Sequence, residues 1–220
     1  MQTKQTITII GANGHMGTAI SKAISKGNYR LLLKGNEQAA LDALANEIKN
    51  NNPDADVEAA VCPAEASWEA DIIILAVPFE AEKELAAKIK EVANQKIVIS
   101  IANPLNTTYD GLVTLPDTSA AEELQKLLPD SKVIKAFNTT FAGDFSTPVI
   151  EGMQADAFIA GNDDDALQTV AEIVATAVFN PIIAGNLSVS RTLENMQLLL
   201  IQLGIKYNYN WLAGWKILHN

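Results

Sequence analysis

Thr6-Ile7-Thr8-Ile9-Ile10 runs without a break into Gly11-Ala12-Asn13-Gly14-His15-Met16-Gly17. Residues 16–26 follow, with Ala19, Ile20, Ala23 and Ile24 on one helical face. A β-rich run, a glycine turn and an amphipathic helix in that order are the opening of a dinucleotide-binding fold. Gly11 permits the tight turn off the strand, Gly14 lets main-chain N–H groups approach a pyrophosphate, and Gly17 lets the helix lie close on the sheet. The helix N-terminus adds partial positive charge where phosphates would sit. The spacing is Gly-x-x-Gly-x-x-Gly, not Gly-x-Gly-x-x-Gly. Taken alone, the turn therefore leaves open a glycine-rich β–α connection that binds nothing. His15 reads as a turn residue placed by its backbone, with an acid/base role as the alternative.

Outward from this turn, short β-rich runs alternate with helical patterns. Strands are expected at residues 31–33, 57–61, 71–77, 96–101, 132–137, 155–160 and 180–183. Helices are expected at 38–49, 80–93, 120–128, 166–178 and 191–205. Residues 71–77 are nearly all apolar, as in a strand buried on both faces. Such alternation implies parallel pairing with right-handed crossovers. The fold class is therefore α/β: a Rossmann-type doubly wound parallel sheet with a small C-terminal α/β annex. Residues 1–145 form the expected dinucleotide-binding domain, and residues 146–220 a smaller portion packed on it. The apolar helix around Leu198 and Ile201 reads either as core or as a helix buried between two subunits of a homodimer. Tyr207, Tyr209, Trp211 and Trp215 crowd the segment after it.

Composition narrows the function classes. The 220 residues are 48% hydrophobic and 19% charged, enough apolar matter for a sizeable core. A net charge of −10 argues against nucleic acid or an anionic membrane as main partner, because both reward excess Lys and Arg. The longest apolar run, from Ile72 to Phe79, falls far short of the about 20 residues a membrane helix needs. Residues 7–10 are too short for a signal-peptide core and enter the glycine turn directly. A cytoplasmic chain is expected. The lone cysteine, Cys62, cannot form an internal disulfide, and the two histidines, His15 and His219, offer no zinc cluster. Asp163-Asp164-Asp165, just before a helix, reads as a cap and not as a metal site. There is no Tyr-x-x-x-Lys pair and no Gly-x-Ser-x-Gly elbow. No catalytic side chain is expected from these patterns.

The residue after the second strand selects the dinucleotide. A base there favours the 2′-phosphate of NADP, and an acid binds the ribose 2′-OH of NAD. Lys34 stands at that point, and Gly35 and Asn36 leave room for a phosphate. Glu37, about 20 residues past the turn, is the competing ribose-binding acid. NADP is favoured and NAD stays possible.

Four further segments sharpen the reading: Asp71-Ile-Ile-Ile-Leu-Ala-Val-Pro78, Ile101-Ala-Asn-Pro-Leu105, Val133-Ile-Lys-Ala-Phe-Asn-Thr139 and Phe158-Ile-Ala-Gly-Asn-Asp163. Together with residues 11–17 the chain resembles the family of NADP oxidoreductases dependent on the deazaflavin coenzyme F-420. The cofactor domain of membrane ferric reductases is a related case. Ser190-Arg-Thr-Leu-Glu194 and the helix after it look like the family's C-terminal helix, so the resemblance spans nearly the whole chain. It implies hydride transfer between NADP(H) and a deazaflavin or flavin-type acceptor, commonly in a dimer. Asn13, Gly14, His15 and Met16 match the residues that hold the pyrophosphate. Gly35 and Asn36 match a Ser-Arg pair that clamps the 2′-phosphate, and this chain lacks that Arg. Val77 and Pro78 match the wall beside the nicotinamide ribose. Asn103, Pro104 and Ala136 match positions around the nicotinamide and the acceptor cleft. The alternative is a non-catalytic NAD(P)-binding module that senses redox state.

Overall fold

A computed structural model describes residues 4–219. Its centre is the run Ile72–Leu75, in which all four side chains are buried. Ile72 and Ile74 enter one apolar layer while Ile73 and Leu75 enter another, as the two-residue period of a strand dictates. Around it the chain forms β1 (Gln5–Ile10), α1 (His15–Ile24), β2 (Tyr29–Lys34), α2 (Gln38–Asn51), β3 (Asp56–Ala59), α3 (Pro63–Glu69), β4 (Ile72–Leu75), α4 (Phe79–Ile89), β5 (Ile97–Ser100), α5 (Ala120–Leu127) and β6 (Lys132–Lys135). A small hairpin of β7 (Val149–Ile150) and β8 (Met153–Gln154) follows, then β9 (Asp156–Gly161), α6 (Asp164–Thr176), β10 (Asn180–Gly185) and α7 (Ser190–Tyr207).

The main sheet has the order β10-β9-β6-β5-β4-β1-β2-β3. From β1 the chain winds outward to β3, then returns to β4 on the other side of β1. The reversal opens a crevice at the C-terminal ends of β1 and β4, where open α/β sheets bind ligands. Helices α1, α2 and α6 cover one face through Ile20, Leu41, Leu44, Val170 and Ile173. Helices α4 and α5 cover the other through Leu85, Ile89 and Leu124. Among the described residues no helix is long and apolar enough to cross a membrane.

The expected doubly wound α/β architecture is present, with local differences. Beyond residue 145 the chain continues the main sheet: β9 joins β6, and β10 pairs parallel with β9. The β6–β9 join is antiparallel through Ile134↔Gly161 and Lys135↔Ala160. No α-helix lies between these two strands, so the chain turns back and does not cross over. Helix α3 was not expected. Its Pro63 stands in the first turn, where the missing N–H costs nothing, and its seven residues are too few to declare a period. The outermost strand, β10, carries Pro181 and a bulge between Ile183 and Gly185.

Asp163 does cap a helix: its carboxylate accepts from the Ala166 amide at 2.9 Å and pairs with Lys132 at 3.0 Å. Asp163→Ala should lower the unfolding free energy by about 1 kcal/mol, the ordinary worth of an N-cap. Chemical denaturation at constant pH measures this, with the slope unchanged.

Candidate functional site

The crevice is shaped by main chain pressed on main chain. Gly11, at φ +93°, leaves the end of β1, and a Cβ there would stand 2.1 Å from the Ala76 carbonyl oxygen after β4. A Cβ on Gly17 would stand 2.1 Å from the Gly11 carbonyl oxygen. The amides of Gly11 and Ala12 both donate to the Lys34 carbonyl, at 2.7 and 2.9 Å, while Ala76 donates to Ile10 at 2.7 Å. The turn is thus tied to both neighbouring strands. The Thr18 amide is the first to find a partner within α1, donating to Gly14 at 2.9 Å. Among the described residues nothing accepts from the amides of His15, Met16 and Gly17, and Gly14 supplies no side-chain cap. Three donors at the positive helix end are thus left without a partner, an arrangement that suits an anion.

A cleft of about 630 Å³ lies over this turn. Gly11, Asn13 and Gly14 line its middle, Lys34, Gly35 and Asn36 one end, and Val77 and Pro78 the opposing wall. These eight expected residues come together. Lys34 turns its Nζ onto the Gly35 carbonyl. A Cβ on Gly35 would meet the Asn13 side-chain oxygen at 2.0 Å, so the Asn13 amide fills the space a larger residue at 35 would need. Glu37, the competing acid, is at the N-cap of α2 and does not line the cleft. Sequence reading missed Val61 and Pro63, together with Ala81, Leu85 and Lys88 on α4. The last three follow Pro78 at helical spacing, a signal that was available once Pro78 was taken as the start of a helix.

The other expected residues lie elsewhere. His15 lines a second cavity of about 570 Å³ between α1 and the turn Ala142–Phe145, where Asn13 and Gly14 also contribute. Met16 is half-buried and packs on the core, and Gly17 is buried by its close approach. Asn103, Pro104 and Ala136 line neither cavity. Ala136 was expected beside the acceptor, yet it is wholly buried within the apolar layer under α1. It offers no surface to a ligand. The Asn103 side-chain NH₂ donates to the Asn138 carbonyl, and the Asn138 NH₂ donates to the Asn103 side-chain oxygen, both at 2.9 Å. This pair laces the ends of β5 and β6. Only the β5–β6 adjacency reveals Asn138 as the partner of Asn103.

Beneath these loops lies a charge cluster that periodicity did not reveal. Lys135 and Glu194, both with wholly buried side chains, pair at 2.6 Å. Glu82 accepts from the Ser100 hydroxyl at 3.0 Å, and its other oxygen has no partner among the described residues. Burial pushes the Glu82 carboxyl up to about 7, against the pull of Lys135. Burial likewise pushes Asp144 up to about 6, although the Phe141 amide donates to it at 2.7 Å.

The sequence profile of the family described as NADP oxidoreductase coenzyme F420-dependent matches residues 6–104, from β1 to the turn after β5. The F420-dependent NADP reductase of Methanocaldococcus jannaschii is 31% identical over 212 residues, 91% of this chain and 93% of that protein. The metalloreductase STEAP2 of Homo sapiens is 32% identical over 108 residues, 49% of this chain and 21% of that protein. A candidate F420-dependent NADP reductase from Arthrobacter sp. FB24, of known crystal structure, superposes with a TM-score of 0.77 at 22% identity, covering 92% of this chain and 94% of that one. Strand order, glycine turn and cleft define a Rossmann-type dinucleotide-binding protein. The 31% identity with the Methanocaldococcus reductase over nearly the full length of both chains carries the assignment further: this chain belongs to the family of coenzyme F420-dependent NADP oxidoreductases.

Two outcomes follow from the geometry. Gly17→Ala drives a methyl into backbone; it should destabilise the fold by about 1–3 kcal/mol and weaken dinucleotide binding roughly tenfold or more, as thermal melting and calorimetry would register. For Glu82 the folded-state value exceeds the unfolded one, so its contribution turns unfavourable as pH climbs from about 4.5 to about 7. Glu82→Gln should therefore gain stability over the natural protein on passing from about pH 5 to about pH 8, by on the order of 3 kcal/mol at most. Urea titrations at the two pH values decide it.

Proposed function

We propose that the cleft between β1, β2 and α4 holds NADP(H), and that the chain passes a hydride between it and a deazaflavin acceptor, coenzyme F-420 or a flavin-type relative. The observation that carries this is the cleft over the glycine turn, lined by Gly11, Asn13, Gly14 and Lys34, in a chain of this family. The residues fit the group. Glycines at 11 and 14 keep side chains off the diphosphate, and the helix end complements its charge. A bound nicotinamide supplies the hydride-exchanging ring. What remains for the protein is to grip, select, align and exclude water. Gly11, Asn13 and Gly14 form the grip in the cleft, and His15, Met16 and Gly17 set the start of α1 beside it. Val77 and Pro78 wall the ribose next to the ring, and Asn103, Pro104 and Asn138 set the ends of β5 and β6 near it. Ala136 acts only as packing beneath them.

Selection falls to Lys34, with Gly35 and Asn36 beside it at the same end of the cleft. One charge-assisted hydrogen bond contributes about 1.5–3 kcal/mol, and with no Arg at position 36 the preference for NADP over NAD is modest. Exposed Leu199, Ile205 and Tyr207 on α7, with Trp211 and Leu212 after it, support a homodimer formed through this C-terminal segment. In this reading residues 1–145 carry the cofactor and residues 146–220 the association surface. The acidic balance and single cysteine support a cytoplasmic site of action.

Mixing the protein with NADPH and coenzyme F-420 should bleach the acceptor's absorbance with one dihydronicotinamide consumed per acceptor. Calorimetric silence toward both NADPH and NADH would overturn the proposal, and binding without turnover by any deazaflavin or flavin would leave the redox-sensing module in its place. Lys34→Ala should weaken NADPH binding about ten- to a hundredfold while NADH binding barely changes.

A further inference from the structure

Lys135, the last residue of β6, has no solvent exposure. Its ammonium donates to Glu194 on α7 and to the backbone carbonyl of Ala102. The other oxygen of Glu194 accepts from the amide of Ala120 at the start of α5, at 3.2 Å. Glu82, in the first turns of α4, faces the same charge and is 2% exposed. One cation and two carboxyls thus join the ends of β5 and β6 to three helices, and none of the three lines the cleft.

Position gives the cluster its significance. Ala102 directly precedes Asn103, and Lys135 stands three residues before Asn138. Both limbs of the Asn103–Asn138 amide pair therefore hang from one ammonium. Glu82 lies one helical turn beyond Pro78, so the same cluster seats the helix that begins at the opposing wall. A buried ion pair is a poor source of stability, since apolar residues of equal volume often do as well. Its acceptors, however, are fixed in direction, and that specifies a single loop geometry.

We propose that Lys135 is a positioning residue for hydride transfer: by clamping Ala102 and Glu194 it sets the ring end of the dinucleotide cleft and leaves the phosphate end untouched. This rests on the reading of that cleft as the NADP site. Glu82 makes the clamp responsive to pH. It meets Ser100 from β5, Lys135 from β6 and Glu194 from α7, while α3 and α5, also packed on α4, bring no charge acting on it. With Glu82 protonated, Lys135 and Glu194 balance. As pH rises through about 7 the second carboxylate appears and competes for the ammonium, loosening its hold on Ala102.

The test combines single-turnover hydride transfer from NADPH to coenzyme F-420 with calorimetry of NADP and of its adenosine 2′,5′-bisphosphate fragment, which lacks the nicotinamide. The Lys135→Met/Glu194→Leu double variant removes both charges together and leaves none of that pair stranded. It should keep fragment affinity within about threefold and slow transfer at least about tenfold, as a ring misplaced by about 1 Å does. The natural protein's transfer rate should fall above about pH 7, and Glu82→Gln, which keeps size and hydrogen bonding, should erase that fall. Transfer at the natural rate in a cooperatively folded double variant overturns the proposal. So does a pH step that survives Glu82→Gln, a result that stands even if the double variant does not fold. Failure of the natural protein to bind NADP or the fragment overturns the dinucleotide reading and this inference with it, whereas binding by the natural protein together with unaltered transfer in the variants overturns this inference alone.

Discussion

Everything in the molecule depends on one contact in which no side chain takes part. The Gly11 turn lies against the Ala76 carbonyl on one side, and α1 lies against the Gly11 carbonyl through Gly17 on the other. Only because strand end, turn and helix touch through bare backbone does the start of α1 lie beside the crevice between β1 and β4. The strand order supplies the crevice, and the glycines bring the helix start beside it. Neither suffices alone: a Rossmann crevice without the close approach has its helix end too far away, and a glycine turn without the switch in strand order opens onto nothing.

This explains which parts could be read from residues. The run at residues 71–77 announced a central strand because burial on both faces leaves no polar alternation, and β4 is indeed flanked on both sides. Helices α1 and α2 followed from the spacing of Ile20, Leu41, Leu44 and Ile48. The antiparallel seam between β6 and β9 was invisible, because neither strand's own sequence records the direction of its neighbour. Helix α3 was too short to show a period.

The site divides the same way. Residues contiguous with the turn and the strand ends, from Gly11 to Pro78, converge in the cleft because topology carries adjacent strand ends to one place. Ala136 was misplaced because the chain continues past β6 with that side chain turned inward, into the layer beneath α1. Lys135 was not legible as a structural residue: it is wholly buried because Glu194, 59 residues on, meets it. Pairing over such a distance leaves no local trace, so the charges that brace the ring end had no signature in pattern or composition.

The rims of the sheet bear on how copies of the chain can meet. At one rim β10 carries Pro181, which has no donor to offer, and a bulge that breaks its ladder; at the other, β3 is only four residues long. Blunted borders of this kind resist zippering of backbones across molecules and so guard against uncontrolled polymer growth. Recognition between copies is thereby left to side-chain chemistry on helical surface, which evolution can retune residue by residue without unpicking a ladder.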